Sequence, residues 1–393
     1  MEAADRQDQN EMAEIGSLRI GVAGSGGRSQ SYAHAFAQVE GASVTAAAVA
    51  GQLAIEMQKK APGIAIEHDV SALTRRADID AVVLTDPVVD LPAVIRRALV
   101  AEKHVLATIS SPVTSVQLEE LAGLARKRRR ILMFTEERSF HPALVFLRWI
   151  LSGRSGLWQP RYLRAVTAPG ASGDGESIGA LIIEQMAVCA RLLGTSPTSA
   201  SGIVCRAESE TVPAAAFVNL VYADGKIASL QASTTEAQEC RQWTMATSSR
   251  TILLDECDGR SPIKIISADS ETAPGSLLNS NPPVPLADWP AESTITPPVR
   301  STDTKVDQCR RFVDCIQRQE LSESNADFWA DVARAWEAVQ ESIRLEGMPV
   351  SIDPVLEREK RALGARPKLR LIHGKGMGTA GAQKRPALTL VPR

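Results

Sequence analysis

SLRIGVAGSGGRS, residues 17–29, begins with apolar side chains at alternate positions and runs directly into Gly24, Gly26 and Gly27. Alternation of that kind is a strand, and clustered glycines end it in a sharp turn. The following SYAHAFAQV, residues 31–39, has helical spacing. A strand, a glycine turn and a helix in that order make the first half of a βαβ unit.

Outward from this stretch the alternation continues. GASVTAAAV (41–49), DIDAVVLTD (78–86), KHVLAT (103–108) and RILMFT (130–135) read as strands; LAIEMQKKA (53–61), AVIRRALVAE (93–102) and SVQLEELAGLARKRR (115–129) read as helices between them. Short strands alternating with helices build right-handed crossovers and a parallel sheet, so residues 17–138 are predicted to form a doubly wound, Rossmann-type α/β domain. After HPALVFLRWILSGRSG (141–156) the pattern changes. LWQPRYLRAVTAP (157–169), SGIVCRAES (201–209), AAFVNLVYADGKIASLQAST (215–234), QWTMATSSRTILLDE (242–256) and IKIIS (263–267) are strands joined by short turns, with Asp224-Gly225 the plainest hairpin signal. One helix, 180–194, interrupts them, and two more, 306–319 and 325–347, close the domain. The expectation for residues 139–353 is a second α/β domain with a largely antiparallel open sheet. Residues 270–302 are too rich in Pro, Ser and Thr for regular structure; residues 1–16 and the basic, glycine-rich tail 354–393 are expected to be disordered.

A chain of 393 residues with 44% hydrophobic and 23% charged residues can bury two cores. Its formal charge of -2 gives no global field for nucleic acid or an anionic membrane, and no stretch reaches the roughly 20 apolar residues of a membrane span. The polar N-terminus has no apolar signal segment, so a cytoplasmic location is expected by default. Cys189, Cys205, Cys240, Cys257, Cys309 and Cys315 form no C-x-x-C pair and no metal spacing with histidine, so no metal is expected and the thiols read as reduced.

The glycine turn carries a specific chemistry. Glycine lets the backbone approach a pyrophosphate, and the helix beyond supplies aligned N–H groups and positive dipole. Gly24, Ser25, Gly26, Gly27, Arg28 and Ser29 are therefore the candidate dinucleotide-binding residues, with Ser29 at the third glycine position. The second strand ends in Ala50 and Gly51, where an acidic residue would hold the adenosine ribose. Its loss costs on the order of 2 kcal/mol for NAD and removes a repulsion against a 2′-phosphate, which Arg28 could bind; the cofactor is NADP or NAD, with NADP favoured.

LRIGVAGSGGRS, DIDAVVLTDP with AEKHVL, RSFHPAL, VYADGKIASLQAS, FVDCIQ and SIRLEGMPVSI, in that order, resemble the glucose–fructose oxidoreductase and inositol dehydrogenase family (Gfo/Idh/MocA) from residue 17 to about 352. The resemblance implies a Rossmann domain, a second domain whose open sheet packs in homo-oligomers, and hydride exchange between a nicotinamide and a hydroxyl-bearing carbon of a small substrate. The turn beside the nicotinamide corresponds to Asp86, Pro87 and Val88, and Thr85, Asp86 and Pro87 are the candidate cofactor contacts there. The family's glutamate-lysine-proline falls on Thr108, Ile109 and Ser110, or on Ser110, Ser111 and Pro112, and either way the lysine is missing. Its helical histidine and aspartate fall on Glu184 and Ala187.

Hydride transfer at an alcohol carbon needs a proton moved at its oxygen, which neither serine nor isoleucine does near neutral pH. Glu184 is the replacement acid/base that the pattern offers, against the plain reading of a helix glutamate paired with an arginine. His141, at the join between the domains, is a second candidate or a structural turn residue. Thr108, Ser110 and Arg138 are candidate substrate contacts. Two functions follow: an oxidoreductase with a non-standard acid/base, or an inactive scaffold that binds a nucleotide, small ligand or protein partner.

Overall fold

The computed structural model describes residues 17–24, 26–85, 90–109, 113–152, 159–170, 177–206, 213–247, 250–260, 262–267, 294–299, 302–352, 370–373 and 388–391. The expected disorder of residues 1–16 lies outside these.

Strands β1 (Leu18–Ala23), β2 (Ala42–Ala48), β3 (Ala65–Glu67), β4 (Ala81–Leu84), β5 (His104–Ala107) and β6 (Leu132–Phe134) form one parallel sheet in the order β3-β2-β1-β4-β5-β6. Helices α1 (Gly27–Phe36), α2 (Gly51–Lys60), α3 (Val70–Arg75), α4 (Leu91–Val100) and α5 (Ser115–Arg128) make the crossovers. Every residue of β4 and β5 is buried, which is why these strands read as unbroken apolar runs. The sequence reading passed over β3 and α3, segments too short to show a period. Asp69 caps α3, its Oδ1 accepting the Ala72 N–H at 2.6 Å.

A single 3-10 turn (Glu137–Phe140) and α6 (Pro142–Ser152) lead into the second domain, where α7 (Ile178–Leu193) and α9 (Ala326–Arg344) cover one face of a nine-stranded sheet. In chain order its strands are β7 (Tyr162–Ala168), β8 (Ser199–Cys205), β9 (Ala215–Val221), β10 (Ile227–Ser233), β11 (Cys240–Ala246), β12 (Arg250–Asp255), β13 (Ile263–Ser267), β14 (Thr294–Ile295) and β15 (Val350–Ser351). They lie in the order β14-β13-β12-β11-β7-β10-β9-β8-β15. The sheet is largely antiparallel, as expected, with one parallel pair, β7 and β10. The chain leaves β7 through α7 to β8 near the edge and returns by two hairpins, which sets β10 beside β7 in the same direction. The hairpin at Asp224-Gly225 joins β9 and β10, with Gly225 at φ +82.

Helix α8 (Thr304–Arg318) does not join the second domain, where the sequence reading put it. Its Val306, Cys309, Phe312 and Ile316 pack with Ile20, Val22, Tyr32 and Phe36 against the parallel sheet, and the Phe36 and Phe312 rings meet edge to face with centroids 6.4 Å apart. Its apolar stripe is equally compatible with either sheet, so only the folded chain decides the partner. Beyond α8, Ser324 runs along the free edge of β6: the Phe134 N–H donates to Ser324 O at 2.8 Å, and Ser324 Oγ donates to Phe134 O at 2.9 Å. An edge left open to other chains is closed in this way. The tail also departs from its expectation of disorder. Arg370–His373 and Leu388–Val391 pair as an antiparallel ribbon, because RLIH and LTLV are short strand-forming runs within an otherwise basic, glycine-rich composition. The rest of 354–393 lies outside the described residues. No helix among the described residues is long and apolar enough to cross a membrane.

At the amino ends of the strands, the buried Lys103 Nζ donates to Arg76 O and Ile79 O at 2.7 and 2.8 Å, closing the end of α3. His104 beside it accepts the Ile131 N–H on Nδ1 at 2.9 Å, which requires an unprotonated nitrogen there. Burial first, then Arg130, lower its pKa from 6.5 to about 4 against a smaller opposing pull from Asp80. The unfolded chain takes up this proton near its ordinary pKa and the folded chain does not, so acid favours unfolding. The contribution is complete above about 6.5 and is lost as pH falls towards 4. Between about pH 7 and pH 5 the wild type is expected to lose on the order of 2 kcal/mol from this group, and His104→Asn, which keeps an acceptor without the titration, to lose correspondingly less. Urea unfolding at the two pH values checks this; identical losses in both proteins overturn it.

Candidate functional site

The strand order reverses between β1 and β4, and the crevice at the carboxyl ends of the strands opens there. Gly24 anchors the turn, its N–H donating to Ala48 O at 3.1 Å. Gly26 is the N-cap of α1 in extended conformation with no side-chain cap, and the first turn of the helix holds no acidic residue. The first N–H groups of a helix have no intrahelical acceptor, so this end suits an anion. A Cβ on Gly27 would meet no protein atom within 4 Å. The fold itself therefore does not demand glycine there, whereas a closely approaching ligand would. Ser29 is fully buried, and its Oγ donates back to Gly26 O at 2.6 Å, so a serine fits the third glycine position by folding its hydroxyl onto the turn. Arg28 is exposed at the helix start, as are Ala50 and Gly51 at the end of β2, where Gly51 has φ +61. Ser25, Asp86, Pro87 and Ser110 lie outside the described residues.

Three threonines end consecutive strands along this edge. Thr85, after β4, is fully buried and turns its hydroxyl inward to Ala23 O at 3.2 Å. Thr108, after β5, accepts the Thr135 hydroxyl at 3.1 Å. Thr135 escaped the sequence reading because it belongs to no motif.

Opposite this edge stands a charged cluster assembled from both domains. Arg138, in the 3-10 turn, donates through Nη1 to Glu184 Oε2 at 2.9 Å and through Nη2 to Glu256 Oε2 at 2.7 Å. Glu256 follows β12, and its other oxygen accepts the Trp243 indole N–H from β11 at 2.7 Å. Side-chain exposure is 13% for Arg138, 6% for Glu256 and 37% for Glu184, so Glu184 presents the most accessible oxygens of the group. Burial works against the Arg138 charge, but the two carboxylates outweigh it and hold the guanidinium above its ordinary range. His141 follows in the same turn with Nδ1 buried. Burial lowers its pKa, Glu256 pulls upward in part, and Arg138 pushes it down again, so its ring is neutral near pH 7. The structure thus brings together Arg138, His141 and Glu184, three residues that the sequence singled out separately. It adds Glu256, for which LLDECDGR carried no signal.

Two further contacts brace the junction. Glu136 and Arg191 form a two-pronged ion pair at 3.2 and 2.6 Å, with the guanidinium stacked 3.5 Å from the Phe328 ring centroid. Tyr32 Oη lies 3.0 Å from Glu137 Oε1 and 2.7 Å from the Gln308 amide. The Gln308 atom facing it is Oε1, so the one hydroxyl donates to Gln308 Oε1 or to Glu137 Oε1, one at a time. No group of His, Cys, Asp and Glu among the described residues is arranged to hold a metal ion.

No family model and no curated protein matches the chain. Solved structures share its fold. UDP-N-acetylglucosamine 3-dehydrogenase GnnA from Acidithiobacillus ferrooxidans is similar with a TM-score of 0.70 at 20% identity, over 84% of this chain and 98% of that one. An NAD binding oxidoreductase from Klebsiella pneumoniae gives 0.69 at 17%, over 86% and 99%. GenD2 from gentamicin A biosynthesis, in complex with NAD, gives 0.68 at 15%, over 86% and 97%. At these identities the likeness is one of fold, and that fold is the pair of domains expected from the sequence.

Removing one partner of a buried ion pair leaves uncompensated charge. Arg138→Leu is therefore expected to lower unfolding stability by about 3 kcal/mol, and Arg138→Leu/Glu256→Gln to recover a large part of it. Urea unfolding of both variants checks this, and a single variant as stable as the wild type would remove the cluster from any structural role.

Proposed function

We propose that the chain is an oxidoreductase that uses NADP or NAD and acts on a small, sugar-like hydroxyl, carbonyl or imine substrate, with Glu184 in the acid/base role. The observation that carries this reading is the N-terminus of α1, entered through a glycine turn with no acidic residue in its first turn, placed where the strand order reverses. Gly24, Gly26, Gly27 and Ser29 would hold the pyrophosphate. The exposed Ala50 and Gly51 offer no carboxylate to a ribose 2′-hydroxyl, and Arg28 offers a cation to a 2′-phosphate, so NADP is the preferred cofactor. A bound nicotinamide supplies the acceptor or donor of hydride. What remains for the chain is the proton. Neither Ile109 nor Ser111, the two residues that could stand in the place of the amine, is an acid or base near neutral pH, whereas Glu184 would bring a carboxylate from a half-exposed position on α7. Arg138 fixes one of its oxygens, and positioned proton transfer of this kind contributes about 10²- to 10⁴-fold.

The same ion pairs favour a second reading. Arg138 is already matched by two carboxylates, so the cluster is also what a binding scaffold without turnover would keep to hold its domains together. The open face of the nine-stranded sheet, with Tyr162, Ile203, Phe217, Val221 and Ile227 exposed, supports assembly as a homo-oligomer under either reading.

Calorimetric titration with both nucleotides is expected to show binding, tighter for NADP, which Gly26→Val abolishes in a folded protein. Absence of heat at millimolar nucleotide overturns the cofactor assignment. Glu184→Gln is expected to keep nucleotide binding and lose turnover; full nucleotide binding by a wild type that turns over no polyol, sugar or imine selects the scaffold. Glucose and myo-inositol are expected to be oxidised about 10³-fold more slowly than by an enzyme with the usual lysine, about 4 kcal/mol of transition-state stabilisation.

A further inference from the structure

Strands β11 and β12 pair antiparallel as far as Gln242 opposite Asp255. The ladder continues one step further, because the Glu256 N–H donates to Arg241 O at 2.9 Å. Arg241 and Glu256 therefore meet backbone to backbone, and their chain neighbours Cys240, the first residue of β11, and Cys257, in the turn after β12, lie at this same end of the two strands. The Arg241 backbone N–H lies beside the Cys257 sulfur, and Cys257 is among the groups that act on the Cys240 thiol, so the two side chains are near neighbours, as a disulfide requires. In the last pair of the ladder the side chains also meet, Gln242 Nε2 donating to Asp255 Oδ2 at 3.0 Å. Cys257 is held in its turn, its N–H donating to Asp255 Oδ1 at 3.0 Å and the Asp258 N–H to Asp255 O at 3.2 Å. Both cysteines are free thiols, Cys257 exposed and Cys240 partly so.

We propose that Cys240 and Cys257 are a cross-strand dithiol that small disulfides oxidise to an intramolecular disulfide, pinning the turn that carries Glu256 to the strand that carries Trp243. One cysteine thiolate attacks a sulfur of the small disulfide and expels one small thiol. The other cysteine then attacks the protein sulfur of the mixed disulfide and expels the second. The two protein thiols give up two electrons and two protons, and the small disulfide takes them up as two thiols. Burial, followed by nearby carboxylates, holds both thiols above their ordinary range, while the Arg241 backbone N–H beside the Cys257 sulfur works partly the other way. Thiols so placed react slowly at neutral pH and gain little from returning to thiolate, so the bond, once formed, resists reduction. Cys205 is the contrast: exposed on β8, it faces Ala215 and has no cysteine across the strand.

The test is incubation of the full chain with oxidised glutathione, followed by peptide mapping without reduction. A linked Cys240–Cys257 peptide lacking two hydrogens is expected, together with a rise of a few degrees in melting temperature and a glutathione adduct on Cys205. Cys240→Ser should lose the linked peptide and the rise, and carry glutathione on Cys257 instead. Separate glutathione adducts on Cys240 and Cys257 of the wild type, or no modification of either while Cys205 reacts, overturn the proposal. The readout is the bond itself, so the outcome is independent of nucleotide binding and turnover.

Discussion

A guanidinium enclosed where two domains meet has to be matched by anions, and at Arg138 that requirement fixes three elements together. The 3-10 turn leaving the parallel sheet, helix α7, and the turn after β12 each contribute one charged group to it. Trp243 in β11 then anchors the second oxygen of Glu256, which extends the constraint into the middle of the nine-stranded sheet. With Arg191 gripped by Glu136 and stacked on Phe328, the two sheets are held by charge-assisted bonds on both sides of the join. The carboxyl edge of one sheet and the carboxylates of the other keep a set relation in consequence.

That relation gives the cleft its chemistry. On the Rossmann side lie backbone N–H groups, a buried serine, threonine hydroxyls and the exposed Arg28. On the other side lie two carboxylates, one guanidinium and a histidine held neutral mainly by burial. Where the family it resembles carries a lysine, this chain has Ile109 or Ser111, neither of them charged.

Helix α8 makes the first domain depend on the far end of the chain. Its apolar face completes the core around Tyr32 and Phe36, directly below the glycine turn. Tyr32, wired through Gln308 and Glu137, ties the helix that presents its N-terminus to the crevice both to α8 and to the turn that carries Arg138. The helix that follows the glycine turn and the turn that carries Arg138 are thus tied together.

Much of this was legible in the sequence. Local signals determined the βαβ alternation, the glycine turn and the Asp224-Gly225 hairpin, because strand alternation, helical period and turn chemistry act between near neighbours. The sequence also has no lysine among residues 108–112 and no carboxylate at Ala50 or Gly51. Other features came only from the folded chain. The three-residue β3 and six-residue α3 were too short to show a period. The partner of α8, the parallel β7 and β10 pair, and the meeting of Glu256 with Arg138 across 118 residues depend on contacts between segments far apart in the chain. A sequence specifies which groups can pair. Which of them do is decided by the packing that brings them together and by the cost of leaving a buried charge unmatched.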